Sequence, residues 1–181
     1  MSTANFTAWP PLRGAHRQTL GGWLLGGGPA PAWRTERLEL RDGDFVDLAH
    51  LGGASGVRIC LFHGLEGCID SHYIAGLAAV LNARGHAVTL MHFRGCSGEP
   101  NRLARAYHSG DTGDIAALML TLRARAPSER LAAVGFSLGG NALLKYLGEQ
   151  GPSVPLDTAV AISVPFDLAA CARRVNHGFS R

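Results

Sequence analysis

Leu131-Ala132-Ala133-Val134-Gly135-Phe136-Ser137-Leu138-Gly139-Gly140-Asn141-Ala142-Leu143-Leu144-Lys145-Tyr146-Leu147 is the stretch that decides how the chain folds. The apolar run from Leu131 to Val134 reads as a buried strand and the segment after Gly140 as a helix, with Gly135 to Gly139 forming a sharp G-x-S-x-G turn between them. Glycines two before and two after the serine remove bulk where strand and helix must approach. So tight a turn pushes the Ser137 Oγ clear of the backbone, which makes Ser137 the candidate nucleophile. The first helical N–H groups and the positive end of the helix dipole lie beside it, suited to a negatively charged intermediate. In a chain with 24 glycines the five-residue pattern alone carries little weight, and the flanks supply the weight.

Outward from this turn the pattern is regular. Glu36 to Leu40 and Phe45 to Leu51 alternate around Asp42-Gly43, a hairpin signal. Val57 to Phe62 and Ala87 to Met91 are continuous apolar runs, the mark of strands buried on both faces. Between them Ile74, Leu77, Ala78 and Leu81 share one helical face, ended by Gly85. Asp111 and Asp114 read as a helix N-cap and its N3 partner before Ile115, Leu118, Met119 and Leu122. A last apolar strand runs from Thr158 to Val164. The order β-β-β-α-β-α-β-α-β predicts an α/β fold, a mostly parallel sheet with helices on both faces. Residues 1–33, rich in Gly, Pro and Trp, read as an irregular arm, 34–164 as the core, and 165–181 as a separate segment.

Composition narrows the function classes. At 181 residues and 46% hydrophobic the chain suffices for one domain with a real core. The 17 basic and 14 acidic residues are interspersed, which argues against a nucleic-acid partner. Cysteines 60, 68, 96 and 171 have neither C-x-x-C nor metal-ligand spacing and point to free thiols in a reducing, cytoplasmic setting. Neither a metal nor a cofactor is expected. The first 20 residues lack an apolar signal-peptide core, and no apolar stretch is long enough to span a bilayer.

Acyl chemistry at a serine needs a nucleophile, a base, an acid that orients the base, and donors for the oxyanion. The N–H of Leu138, directly after the serine, is one expected donor, and that of Leu65 in the loop His63-Gly64-Leu65-Glu66-Gly67 is the other. His63 and His72 precede the serine and read as structural, while His92, His108 and Asp111 read as residues that hold loops. Cys96 has no helix N-terminus after it and reads as a packed thiol.

The loop at 63–67 with Ser71-His72-Tyr73, then Phe93 to Asn101, Tyr107 to Thr112 and Gly135 to Lys145, resembles the YheT branch of the α/β-hydrolases, also called the AB hydrolase type-4 family. Gly14 to Thr19, Ala161 to Pro165 and Gly178 to Arg181 are similar to it too, so the resemblance covers nearly the whole chain. It implies an α/β-hydrolase fold and a serine esterase or lipase-like activity on carboxylic esters, with small-molecule or lipid ester substrates and peripheral membrane contact left open. It also implies an acid and a histidine after later strands, with a cap between. The last strands and most of the cap are therefore expected to be missing, the chain being a C-terminally truncated piece that by itself is nearly inactive. Asp167 and His177 follow Ser137 in the order the fold uses, but the apolar helical patch between them leaves no strand to bring His177 back. A non-catalytic binding protein on the same fold, or an acyltransferase or thioesterase on the same elbow, are the alternatives.

Overall fold

Strands β1 (Arg34–Glu39), β2 (Phe45–Leu51), β3 (Val57–Phe62), β4 (Ala87–Met91), β5 (Arg130–Phe136) and β6 (Thr158–Ile162) form one sheet in the order β1-β2-β4-β3-β5-β6. This is a computed structural model that describes residues 7–14, 16–18, 21 and 31–176. The β1-β2 and β2-β4 pairs are antiparallel and the remaining pairs parallel. Helices α1 (His72–Ala83), α2 (Gly113–Arg125) and α3 (Leu138–Gln150) connect the parallel strands, and α4 (Leu168–Val175) follows β6. The α/β-hydrolase fold expected from the sequence is the fold observed. Most of the expected arm at 1–33 lies outside the described residues.

Alternation along β3 sets the two cores. Cys60 and Phe62 pack with Leu118 and Met119 of α2 and with Leu143 and Tyr146 of α3. Ile59 and Leu61 pack on the opposite face with Ile74 and Ala78 of α1. Helices cover both faces, so β3 and β4 are mostly apolar; the expected continuous apolar runs are interrupted at Arg58, whose guanidinium donates to Glu129 and to Thr89 Oγ1, and at Thr89 itself. Each fully buried side chain of this size contributes about 1.5–3 kcal/mol.

The sheet's other organiser is a charge. Arg94, just past β4, has a side chain only 1% exposed. Its Nε and Nη2 donate to Asp114 at 2.8 and 2.7 Å, Nη1 donates to Asp44 at 2.9 Å, and Nη2 also donates to Asp42 at 2.8 Å. One guanidinium thus ties the β1-β2 hairpin to the first turn of α2. Burial alone would raise the Asp44 carboxyl; hydrogen bonds from Asn101 and from the Arg102 and Phe45 amides, with the Arg94 charge, outweigh it and bring the pKa to about 2.

Two local expectations need correction. Asp111 and Asp114 do not cap α2: Thr112 stands at the N-cap without a side-chain cap bond, Asp114 is held by Arg94, and Asp111 accepts from Arg105 Nη2 at 2.6 Å. The last strand stops at Ile162, not Val164, because Ser163 adopts φ 54°, a left-handed conformation that breaks the pleat. β6 is the sheet edge, with Val160 half-exposed.

Replacing Asp114 by Ala leaves the Arg94 guanidinium buried without its bidentate partner. The expected loss is about 3–5 kcal/mol in urea unfolding; a loss below about 1 kcal/mol would show that Asp42 and Asp44 suffice.

Candidate active site

Ser137 sits between β5 and α3 with φ 49° and ψ −115°, a region that costs a non-glycine residue about 1–3 kcal/mol. Neighbouring backbone holds it there: its N–H donates to Ile162 O at 2.8 Å, and its carbonyl accepts from Asn141 N at 3.0 Å. The flanking glycines are needed for space. A Cβ on Gly135 would lie 2.6 Å from Gly140 Cα, and one on Gly139 would collide with the carbonyls of Phe62 and His63. The N-terminus of α3 therefore rests directly on the end of β3, where the loop at 63–67 begins.

That loop is a tight turn. Gly67 N donates to Gly64 O at 3.1 Å, and Glu66 has φ 53°. Leu65 is 70% exposed and lines the same cavity, of about 610 Å³, as Ser137 and Leu138. Among the described residues neither the Leu65 nor the Leu138 amide has a hydrogen-bond acceptor. The three residues singled out in the sequence thus line one cavity. Val164, Leu168 and Cys171 complete most of its apolar wall.

His63 is buried beneath this turn. Its Nε2 accepts from Phe93 N at 3.0 Å, which fixes the proton on Nδ1, and Nδ1 donates to Gly64 O at 2.6 Å. Burial, only partly offset by the Gly64 carbonyl, pushes its pKa down to about 4. Both ring nitrogens are engaged and the ring is neutral, so His63 holds the loop and is not placed to take a proton from Ser137. His92 Nδ1 lies 3.1 Å from Asp47 O, and His108 Nδ1 accepts from Gly110 N at 3.1 Å. His72 is exposed and lies edge-on to Tyr73. The Cys96 thiol is half-buried and raised in pKa by that burial, unlike an activated nucleophile.

The candidate acid is engaged elsewhere. Asp167 is exposed and caps α4, its Oδ1 accepting from Ala170 N at 2.8 Å, and His177 lies outside the described residues. Among the described residues no side chain hydrogen-bonds the Ser137 hydroxyl. Sequence reasoning missed Ser109, Ser163 and Cys171 as cavity residues and the phenols of Tyr73 and Tyr107 as partners of the 63–67 turn. The left-handed Ser163 had no glycine to announce it, and the tyrosines come from distant parts of the chain.

Comparison with known proteins fits this geometry. Residues 57–181 match the profile of the family described as alpha/beta hydrolase fold. The chain is 47% identical over 155 residues to a candidate esterase, YheT, of Escherichia coli (strain K12), covering 83% of this chain and 45% of that protein. It is 28% identical over 153 residues to Phospholipase ABHD3 of Homo sapiens, covering 80% and 37%. The chain therefore spans less than half the length of these relatives. The solved structure of the Pyrococcus furiosus esterase Pf2001 superposes with a TM-score of 0.68 at 20% identity, covering 81% of this chain and 57% of that one.

The His63 environment makes stability depend on pH. Its pKa is depressed on folding, so the stabilisation is present above the ordinary value of 6.5 and is lost as pH falls toward about 4. Melting temperature should decline over that window, and His63→Gln should flatten the decline; an equal slope in the variant would assign the effect to other groups.

Proposed function

Because the chain belongs to the α/β-hydrolase-fold family, in its YheT-type branch, we propose that it carries the nucleophile and oxyanion donors of a longer serine hydrolase of carboxylic esters. Ser137 Oγ passes its proton to a general base as it attacks the acyl carbonyl carbon, and the carbonyl π electrons move to oxygen. The resulting oxyanion accepts from the Leu65 and Leu138 amides. On collapse the protonated base returns that proton to the departing alkoxide, which leaves as the alcohol; water, deprotonated by the same base, then attacks the acyl-serine, releasing the carboxylic acid and restoring the Ser137 hydroxyl. The general base and its orienting acid are supplied by sequence that follows Arg181, a placement supported by the less than half-length coverage of the relatives. In this reading residues 34–164 are the hydrolase core and 165–181 the start of a cap. Small-molecule or lipid esters with an apolar acyl group suit a cavity walled by Leu65, Val164 and Leu168. A cytoplasmic setting agrees with four free cysteines.

The observation that carries the proposal is the strained Ser137 backbone beside two unengaged amides on one cavity. A non-catalytic binding role is favoured only by the lack, among the described residues, of a side chain bonded to the Ser137 hydroxyl. Acyl transfer to an alcohol or thiol would use the same acyl-serine and is separated by product analysis with competing acceptors.

A fluorophosphonate probe tests the assignment on the natural-length protein. Labelling is expected, and Ser137→Ala should abolish it; an unlabelled protein would sink the hydrolase reading in favour of the binding role. The 181-residue chain alone should label at least about a thousandfold more slowly, for want of the base.

Leu65→Pro removes one oxyanion donor at a position where proline suits the turn. It should lower kcat on a short-chain ester by about 10²- to 10³-fold with the fold intact. An unchanged kcat would assign the second donor elsewhere.

A further inference from the structure

The turn Gly64-Leu65-Glu66-Gly67 has four backbone amides, and three of them are engaged. Gly64 N donates to the Tyr73 phenol oxygen at 3.0 Å, Glu66 N donates to the Tyr107 phenol oxygen at 2.7 Å, and Gly67 N donates to Gly64 O at 3.1 Å. The remaining amide is that of Leu65. Leu65 is not among the positive-φ residues whereas Glu66 is, at 53°, so the turn is of the type II kind. Glutamate gains nothing from that conformation by itself, since left-handed backbone favours glycine. An anchor on the Glu66 amide is what the turn needs to persist.

The two phenols come from different elements and each is braced. Tyr73, in the first turn of α1, packs its ring on Phe136, the residue before Ser137, with centroids 4.8 Å apart. Tyr107, on the segment between β4 and α2, stacks on Phe93 at 5.0 Å with an interplanar angle of 11°. Phe93 in turn meets His63 edge-on at 5.0 Å and donates its amide to the His63 ring. The turn is therefore gripped on one side by a residue registered to the elbow strand and on the other by a residue registered to β4.

We propose that Tyr73 and Tyr107 are positioning residues of the esterase site: each phenol oxygen accepts the amide on one side of Leu65, and together they hold the turn with the Leu65 N–H left for the substrate oxygen. The inference rests on the reading of Ser137 and Leu65 as nucleophile and oxyanion donor. Neither tyrosine touches the reacting atoms. Their effect is to fix the distance between the free amide and Ser137, through Phe136 for Tyr73 and through the Phe93–His63 pair for Tyr107. Such a placement matters because an oxyanion donor acts only when it is already in position as charge develops.

Tyr73→Phe and Tyr107→Phe remove one oxygen each and keep the ring contacts, so both variants should fold with little change in Tm. The natural-length protein and both variants are titrated with a fluorophosphonate, separating the maximal inactivation rate from the half-saturating probe concentration. Each variant should lose about tenfold in maximal rate, a fraction of the effect of removing the donor outright, with half-saturation unchanged. In a Leu65→Pro background the same substitutions should have no further effect, because the amide they position is gone. An unchanged rate in either variant overturns the role of that tyrosine. Equal losses with and without the Leu65 amide overturn the inference in favour of a general structural contribution. If the natural-length protein is not labelled at Ser137 at all, the hydrolase reading fails first and the inference falls with it.

Discussion

The N-terminus of α3 lies on the carboxyl ends of β3 and β5 with no side chain between, and the arrangement of the site follows from that contact. Gly139 brings the helix against the carbonyls of Phe62 and His63, and Gly135 lets its first turn sit on the strand it leaves. The same approach leaves Ser137 no regular conformation. Its left-handed backbone is held by hydrogen bonds to Ile162 and Asn141 on either side. The strain of about 1–3 kcal/mol is small against a core that buries both faces of β3. Because the helix starts where the 63–67 turn begins, a residue of each, Leu138 and Leu65, lines the same cavity as the serine.

Among the described residues no charged side chain lines this cavity. Arg94 and its three carboxylates join the β1-β2 hairpin to α2. At the site, His63 is neutral and the wall is built of Leu, Val, Pro, Ser and Cys side chains. On the proposed reading, fixed amide dipoles in such surroundings would act on a developing negative charge in a lining without charged side chains. The ion network and the cavity thus lie on different residues: Arg94 with its carboxylates joins hairpin to helix, and the described cavity lining is uncharged.

Much of this was legible in the sequence where the cause is local. β3 and β4 were readable to the residue because burial on both faces makes them apolar at all but Arg58 and Thr89, and the hairpin was marked by Asp42-Gly43. The errors lie where the cause is distant. Asp114 has the spacing of a capping residue, yet its partner is an arginine 20 positions earlier. Ser163 ends β6 through the sign of a backbone angle that no residue type near it announces. Tyr73 and Tyr107 stood in quoted motifs without a role, because their partners, two amides of a turn, carry no side-chain signature.

The four cysteines differ sharply in chemical setting. Burial pushes the Cys60 thiol up to about 12 at the centre of β3, whereas Cys171 is exposed on the wall of the cavity that holds Ser137. An alkylating reagent at neutral pH therefore meets Cys171 and not Cys60. The adduct would occupy part of the cavity shared with Ser137. On the proposed reading, inactivation by a thiol reagent would report crowding of the cavity at Ser137 and would not identify a cysteine nucleophile.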